Sequence, residues 1–248
     1  GFKERFQLAS APKNRIAQAA VKMIHEGMTV ILDSGSTTML IAEGLMTAKN
    51  ITVITNSLPA AFALSENKDI TLVVCGGTVR HKTRSMHGSI AERSLQDINA
   101  DLMFVGADGI DAVNGITTFN EGYSISGAMV TAANKVIAVL DSSKFNRRGF
   151  NQVLPIEKID IIITDDAVSE VDKTGIAENT GEINYGVALF FVPDKVCTPN
   201  PASLILPELR KGNLINAIMD NPVVIDSAML PEVFQYGSFA HSTVRHQD

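Results

Sequence analysis

The chain has 248 residues, 45% of them apolar and 19% charged, with 18 glycines, 9 prolines and a net charge of −6. That balance excludes a mainly disordered, collagen-like or coiled-coil chain, and the length supports a full hydrophobic core without staples. Two cysteines, Cys75 and Cys197, with no CxxC pair argue against a disulfide scaffold or zinc knuckle and fit a reducing compartment, the cytoplasm.

No apolar run approaches the ~18–20 residues of a membrane span, so no membrane partner is expected. The polar start, residues 1–15, does not read as a secretory leader. An acidic chain without a dense Lys/Arg cluster is poorly suited to grip a phosphate backbone by itself. Residues 174–248 hold 4 Lys and Arg against 8 Asp and Glu, and six of the nine prolines. Prolines at that density interrupt helices and central strands, which predicts a boundary near 173–193.

In chain order, short apolar β-branched runs recur at 28–33, 51–55, 69–75, 101–108, 135–141 and 159–165. They are continuously apolar rather than alternating, as strands buried on both faces are. Helix-period segments lie between them. Ile16, Ala19, Ala20, Met23 and Ile24 share one face, and Leu40, Ile41, Gly44 and Leu45 another; 59–65 and 122–133 also read as helices. The predicted class is α/β, with a doubly wound, mostly parallel sheet. Such sheets bind ligands at the carboxyl ends of their strands.

After the first strand comes Asp33-Ser34-Gly35-Ser36-Thr37-Thr38. Glycine lets backbone approach a ligand closely, four hydroxyls donate, and the following helix offers free N–H groups and a positive dipole end. The loop suits a phosphate; the plain alternative is an N-cap. The Gly-Lys-Ser/Thr ending of a nucleoside triphosphate loop is missing. The second strand ends at Asn56 and Ser57, which could bond a polyol hydroxyl or cap a helix. The third ends at Cys75-Gly76-Gly77, where the glycines allow close approach and the thiol reads as half-buried rather than nucleophilic. After the fourth, Asp108, Asp111, Asn120 and Glu121 could serve as acid and base, accept bonds from sugar hydroxyls, or close an Asx turn. After the fifth, Lys144 could neutralise a phosphate or carboxylate, or be a surface charge. His25, His81, His87, His241 and His246 lack metal-ligand spacing, so no metal is assigned; no cofactor is called for. Residues 81–84 read as a solvated basic loop.

Taken together, 31-ILDSGSTT-38, 55-TNS-57, 76-GG-77, 104-FVGADGID-111, 117-TTFNE-121 and 141-DSSKFNRRGF-150 resemble the C-terminal sensor domain of the DeoR family of bacterial sugar-operon repressors. The resemblance covers about 165 residues and points within the family toward galactitol metabolism. It implies a fold similar to ribose-5-phosphate isomerase. It also implies a phosphorylated sugar or polyol effector, with the phosphate on Ser34, Gly35, Ser36, Thr37 and Thr38. Asp33, Asn56, Ser57, Gly76, Gly77, Asp108, Asp111, Asn120, Glu121 and Lys144 would line the sugar end. Family members carry an N-terminal winged helix-turn-helix for operator DNA and form oligomers; here 1–12 look like the linker that would follow that reader.

The expected organisation is therefore a linker at 1–12, a sensor domain at 13–192 and an unassigned tail at 193–248. Residues 187–192 could be the family's closing strand, although 174–186 make a poor helix ahead of it. Apolar patches at 204–209 and 223–234 suggest that the tail folds against something. The expected role is allosteric sensing, not catalysis. The alternatives are an aldose–ketose isomerase, with Glu121 or Asp108 as base and Lys144 as electrophile, and an interaction protein whose tail binds a partner.

Overall fold

The computed structural model describes residues 10–120, 122, 124–178 and 188–192. Helix α1 (Ser10–Val21) leads to strand β1 (Thr29–Leu32) and helix α2 (Ser36–Gly44). The unit repeats as β2 (Thr52–Thr55), α3 (Leu58–Leu64) and β3 (Thr71–Val74). A hairpin, β4 (Thr78–Arg80) with β5 (Ser85–His87), and the short α4 (Ser89–Arg93) precede β6 (Ala100–Val105). Then come β7 (Gly109–Asp111), β8 (Gly115–Thr118), α5 (Ser126–Thr131), β9 (Ala133–Val139), β10 (Asn151–Leu154), β11 (Ile161–Asp165), α6 (Glu170–Glu178) and β12 (Ala188–Val192).

Seven of these strands form one parallel sheet in the order β12-β11-β9-β6-β1-β2-β3. The fold is thus α/β with a doubly wound sheet. Alternate side chains on a strand face opposite ways, and two cores result. Val30 and Leu32 of β1 and Phe104 of β6 pack with Ile16 of α1 and Ile41 of α2 on one face. Ile31, Met103 and Val105 pack with Ile116 of β8, Ile125 and Met129 of α5 on the other. Burial on both faces is why the central runs are apolar throughout.

The small antiparallel sheet β10-β8-β7 lies over the second core. Gly115, between β7 and β8, has φ +66°, and a Cβ there would sit 2.3 Å from the Leu154 carbonyl. Both facts require glycine.

Several expectations change. Residues 10–12, read as linker, are the first turn of α1. The helix expected over 122–133 is confined to Ser126–Thr131, because Ala133 already pairs with Ala100 in the sheet. Thr174–Glu178, read as poorly helical, finish α6; acidic residues in its first turn suit the helix dipole. The closing strand is present as β12, paired in register with β11. Cys75 is fully buried, not half-buried. The tail at 193–248 lies outside the described residues.

Phe104 is fully buried at the centre of the sheet. Phe104→Ala is expected to destabilise the fold by about 3–5 kcal/mol, read as a lower midpoint in urea unfolding; a loss below about 1 kcal/mol would contradict this packing.

Candidate functional site

The strand order reverses between β1 and β6. The loops that leave these two strands part there, as in other open α/β sheets. The gap is an open cleft with about 800 Å³ of empty space, counting solvent at its mouth.

Along one wall run Asp33, Ser34, Gly35, Ser36 and Thr37. No side chain caps the N-terminus of α2, so the capping role open to these hydroxyls is not taken. Thr38 is buried away from the cleft, its Oγ1 donating to the Gly35 carbonyl at 3.2 Å. Gly35 sits at φ 178°, ordinary extended backbone. Its lack of a side chain matters for space, since a Cβ would lie 3.2 Å from Thr38 Oγ1.

Asp33 is only 6% exposed. It accepts from the Ser34 N–H at 2.6 Å and from Ser126 Oγ of α5 at 2.5 Å. Burial raises its pKa, and bonds from Ser126, Ser34 and Asn56 act against that rise. Asp33 thereby ties the β1 loop to α5 across the parting.

On the opposite wall, Asp108 accepts from Thr118 Oγ1 at 2.7 Å, the Phe119 N–H at 3.2 Å and Asn120 Nδ2 at 3.3 Å. Asn120 also bonds Thr118 and receives Asn151 through its carbonyl. Both Asp108 and Asn120 line the cleft. Lys144 reaches it from a 3-10 turn at Ser142–Lys144, capped by Asp141 through the Ser143 N–H and hydroxyl.

Other expected residues support this frame from outside the cleft lining. Asn56 is fully buried and donates to the Met86 carbonyl. Ser57 caps α3 at Ala60. Gly77, at φ +122°, lets its backbone pass close to the His87 carbonyl, and Gly76 lies beside Ile90. Asp111 closes a turn by accepting from the N–H groups of Val113 and Asn114. Glu121 lies outside the described residues.

Residues with no motif signal complete the site. Lys13 of α1, 2% exposed, extends into the cleft. The β4–β5 hairpin contributes Arg80, Thr83 and His87. Residues 81–84 form the hairpin turn: His81, Lys82 and Arg84 are exposed, as expected of a solvated basic loop, and Thr83 alone of the four turns inward to line the cleft. The hairpin is pinned to the end of β2 by Met86 N–H to the Asn56 carbonyl at 2.8 Å and Leu58 N–H to the Arg84 carbonyl at 3.0 Å. Only a fold that brings β5 over β2 makes these residues neighbours; a buried lysine in an otherwise apolar helix face was the one available hint.

Burial and the Arg80 guanidinium push His87 down from 6.5 to about 4. The unfolded chain therefore takes up this proton first, and stability falls as pH drops from about 6.5 toward 4. His87→Gln is expected to lose less stability than wild type over that window in urea titrations; equal losses would contradict the assignment.

The DeoR C terminal sensor domain model matches residues 9–166. A protein of Escherichia coli O157:H7 that carries the name of an aga operon transcriptional repressor is 35% identical over 181 residues, covering 73% of this chain and 67% of that one. The HTH-type transcriptional regulator GlpR of Haloferax volcanii is 37% identical over 170 residues, 66% of each chain. The HTH-type transcriptional repressor GlcR of Bacillus subtilis is 34% identical over 165 residues, 66% of this chain and 63% of that one. The chain thus spans about two thirds of each relative, and the relatives are named as transcriptional regulators rather than enzymes. Among solved structures, ribose 5-phosphate isomerase A of Methanocaldococcus jannaschii matches 54% of this chain and 53% of its own at 21% identity and a TM-score of 0.40. The β subunit of eIF2B from Chaetomium thermophilum matches 62% of this chain and 48% of its own at 16% identity and a TM-score of 0.44. The architecture rests on the strand order itself and the family on the sequence match over 9–166: the chain belongs to the DeoR C-terminal sensor domain family.

Proposed function

We propose that the cleft binds a phosphorylated sugar or polyol and that this binding controls a DNA reader in the same regulator. The observation that carries the reading is the uncapped N-terminus of α2, which opens into the cleft. The first-turn N–H groups of a helix have no internal partners and sit at the positive end of its dipole. Ser34, Ser36 and Thr37 add hydroxyl donors there, and Lys13, Arg80 and Lys144 bring cationic side chains to the same cleft. A dianionic phosphate matches that set. Asp108 and Asn120 face the remainder of the cleft, where carboxylate and amide oxygens accept from sugar hydroxyls.

Regulation follows if effector binding favours one arrangement of the assembled regulator over another. A coupling of about 1–3 kcal/mol changes operator affinity roughly 5–150-fold. Operator contact through an N-terminal winged helix-turn-helix, homo-oligomeric assembly and a cytoplasmic setting belong to this reading by family resemblance. Galactitol 1-phosphate and the tagatose phosphates are the first ligands to test. No helix among the described residues is long and apolar enough to cross a membrane.

Thermal shift with these phosphates and with free galactitol tests the claim. Stabilisation by the phosphorylated compounds alone is expected; equal stabilisation by free galactitol overturns the phosphate assignment. The double change Ser36→Ala, Thr37→Ala is expected to lower affinity at least tenfold, on the scale of two lost charge-assisted hydrogen bonds, with an unchanged far-UV circular dichroism spectrum. An unaltered ligand response in that variant would remove the α2 terminus from the site.

A further inference from the structure

Thr83, Ser85 and His87 stand at alternate positions of the hairpin, and alternate residues of a strand share one face. Their side chains form a single hydrogen-bonded row. Thr83 Oγ1 lies 3.4 Å from the Arg80 carbonyl, 2.6 Å separates Thr83 Oγ1 from Ser85 Oγ, and 2.7 Å separates Ser85 Oγ from His87 Nε2. One order of protons satisfies all three contacts. A carbonyl only accepts, so the Thr83 hydroxyl donates to Arg80. Ser85 then donates to Thr83, and His87 donates its Nε2 proton to Ser85.

That row leaves Nδ1 of the neutral ring as a bare acceptor. His87 is only 8% exposed and lines the cleft, and its Nδ1 is buried without a partner. Buried acceptors are rarely left so, because the lost solvation is not recovered. Ser85 is fully buried and braced by its bridge to Ser57, so the ring is held from behind.

We propose that His87 is a specificity-determining residue of the cleft, its Nδ1 accepting a hydrogen bond from a hydroxyl of the bound sugar or polyol phosphate. The proposal rests on the phosphate reading above and adds what discriminates one polyol from another. A ligand with a hydroxyl at that point satisfies the acceptor; one lacking it leaves the nitrogen buried and unpaired, at a cost of about ten- to hundredfold in affinity. The charged side chains that share the cleft are Lys13, Asp33, Arg80, Asp108 and Lys144. Of these Arg80 acts on His87 and, together with burial, keeps the ring neutral near pH 7, so Nδ1 stays an acceptor under ordinary conditions.

The test compares wild type with His87→Leu and His87→Gln, measuring affinity for galactitol 1-phosphate, tagatose 6-phosphate and inorganic phosphate by calorimetry. His87→Leu is expected to weaken the better polyol or sugar phosphate ten- to hundredfold and inorganic phosphate less than twofold, with partial recovery in His87→Gln through its amide oxygen. Undiminished affinity in His87→Leu, or equal loss for inorganic phosphate, overturns the proposal. If wild type responds to none of the three, the phosphate reading itself falls, a distinct outcome. Long-range 1H–15N spectra of the wild-type protein supply a readout that needs no variant. The Nε2-protonated tautomer is expected, with an Nδ1 resonance that moves on adding the polyol phosphate; an Nδ1-protonated ring, or an Nδ1 resonance unmoved by a ligand that binds, refutes it.

Discussion

The connections that follow β1 and β6 pack on opposite faces of the sheet: α2 joins the core of Ile16 and Leu32, while β7, β8 and α5 join the core of Ile31 and Met103. Two neighbouring parallel strands whose exits diverge cannot cover the space between their carboxyl ends. The cleft is therefore a consequence of winding direction, and no dedicated side chain is needed to hold it open. What the local sequence contributes is the furniture of the two walls.

Those walls meet through Asp33. A buried carboxylate is costly unless it is bonded, and here its partners come from two sources, its own loop at Ser34 and α5 at Ser126. The bond to Ser126 joins the loop between β1 and α2 to the start of α5. The β4–β5 hairpin adds a third wall, tied to the end of β2 by backbone hydrogen bonds. The side-chain row of Thr83, Ser85 and His87 is carried on that tethered backbone.

Much of the frame was readable in the residues. The central strands were evident because double-sided burial leaves only apolar side chains, as at Val30, Ile31 and Leu32. Asp33, Ser34, Ser36 and Thr37 were evident because a hydroxyl-rich loop between a strand and a helix is a local pattern. Asn56, Ser57, Gly76, Gly77 and Asp111 carried equally plausible local chemistry, yet the fold uses them to hold β2, α3, the hairpin and a turn. The same residue types can cap a helix or line a cleft, and which of these positions they reach depends on where neighbouring segments end.

Sequence by itself determined the class of the fold, the order of its strand and helix units and the loop that opens α2, since these follow from periodicity and short-range turn chemistry. Tertiary structure alone brought Lys13, Arg80, Thr83 and His87 to the cleft. Lys13 precedes the first strand and His87 follows the third, and neither lies in a loop at the carboxyl end of a strand of the main sheet. They share a cleft with Lys144 only because helix α1 packs against the sheet while the hairpin turns back over β2. Contacts between residues tens of positions apart are set by packing and by long-range backbone pairing, and no local pattern records them.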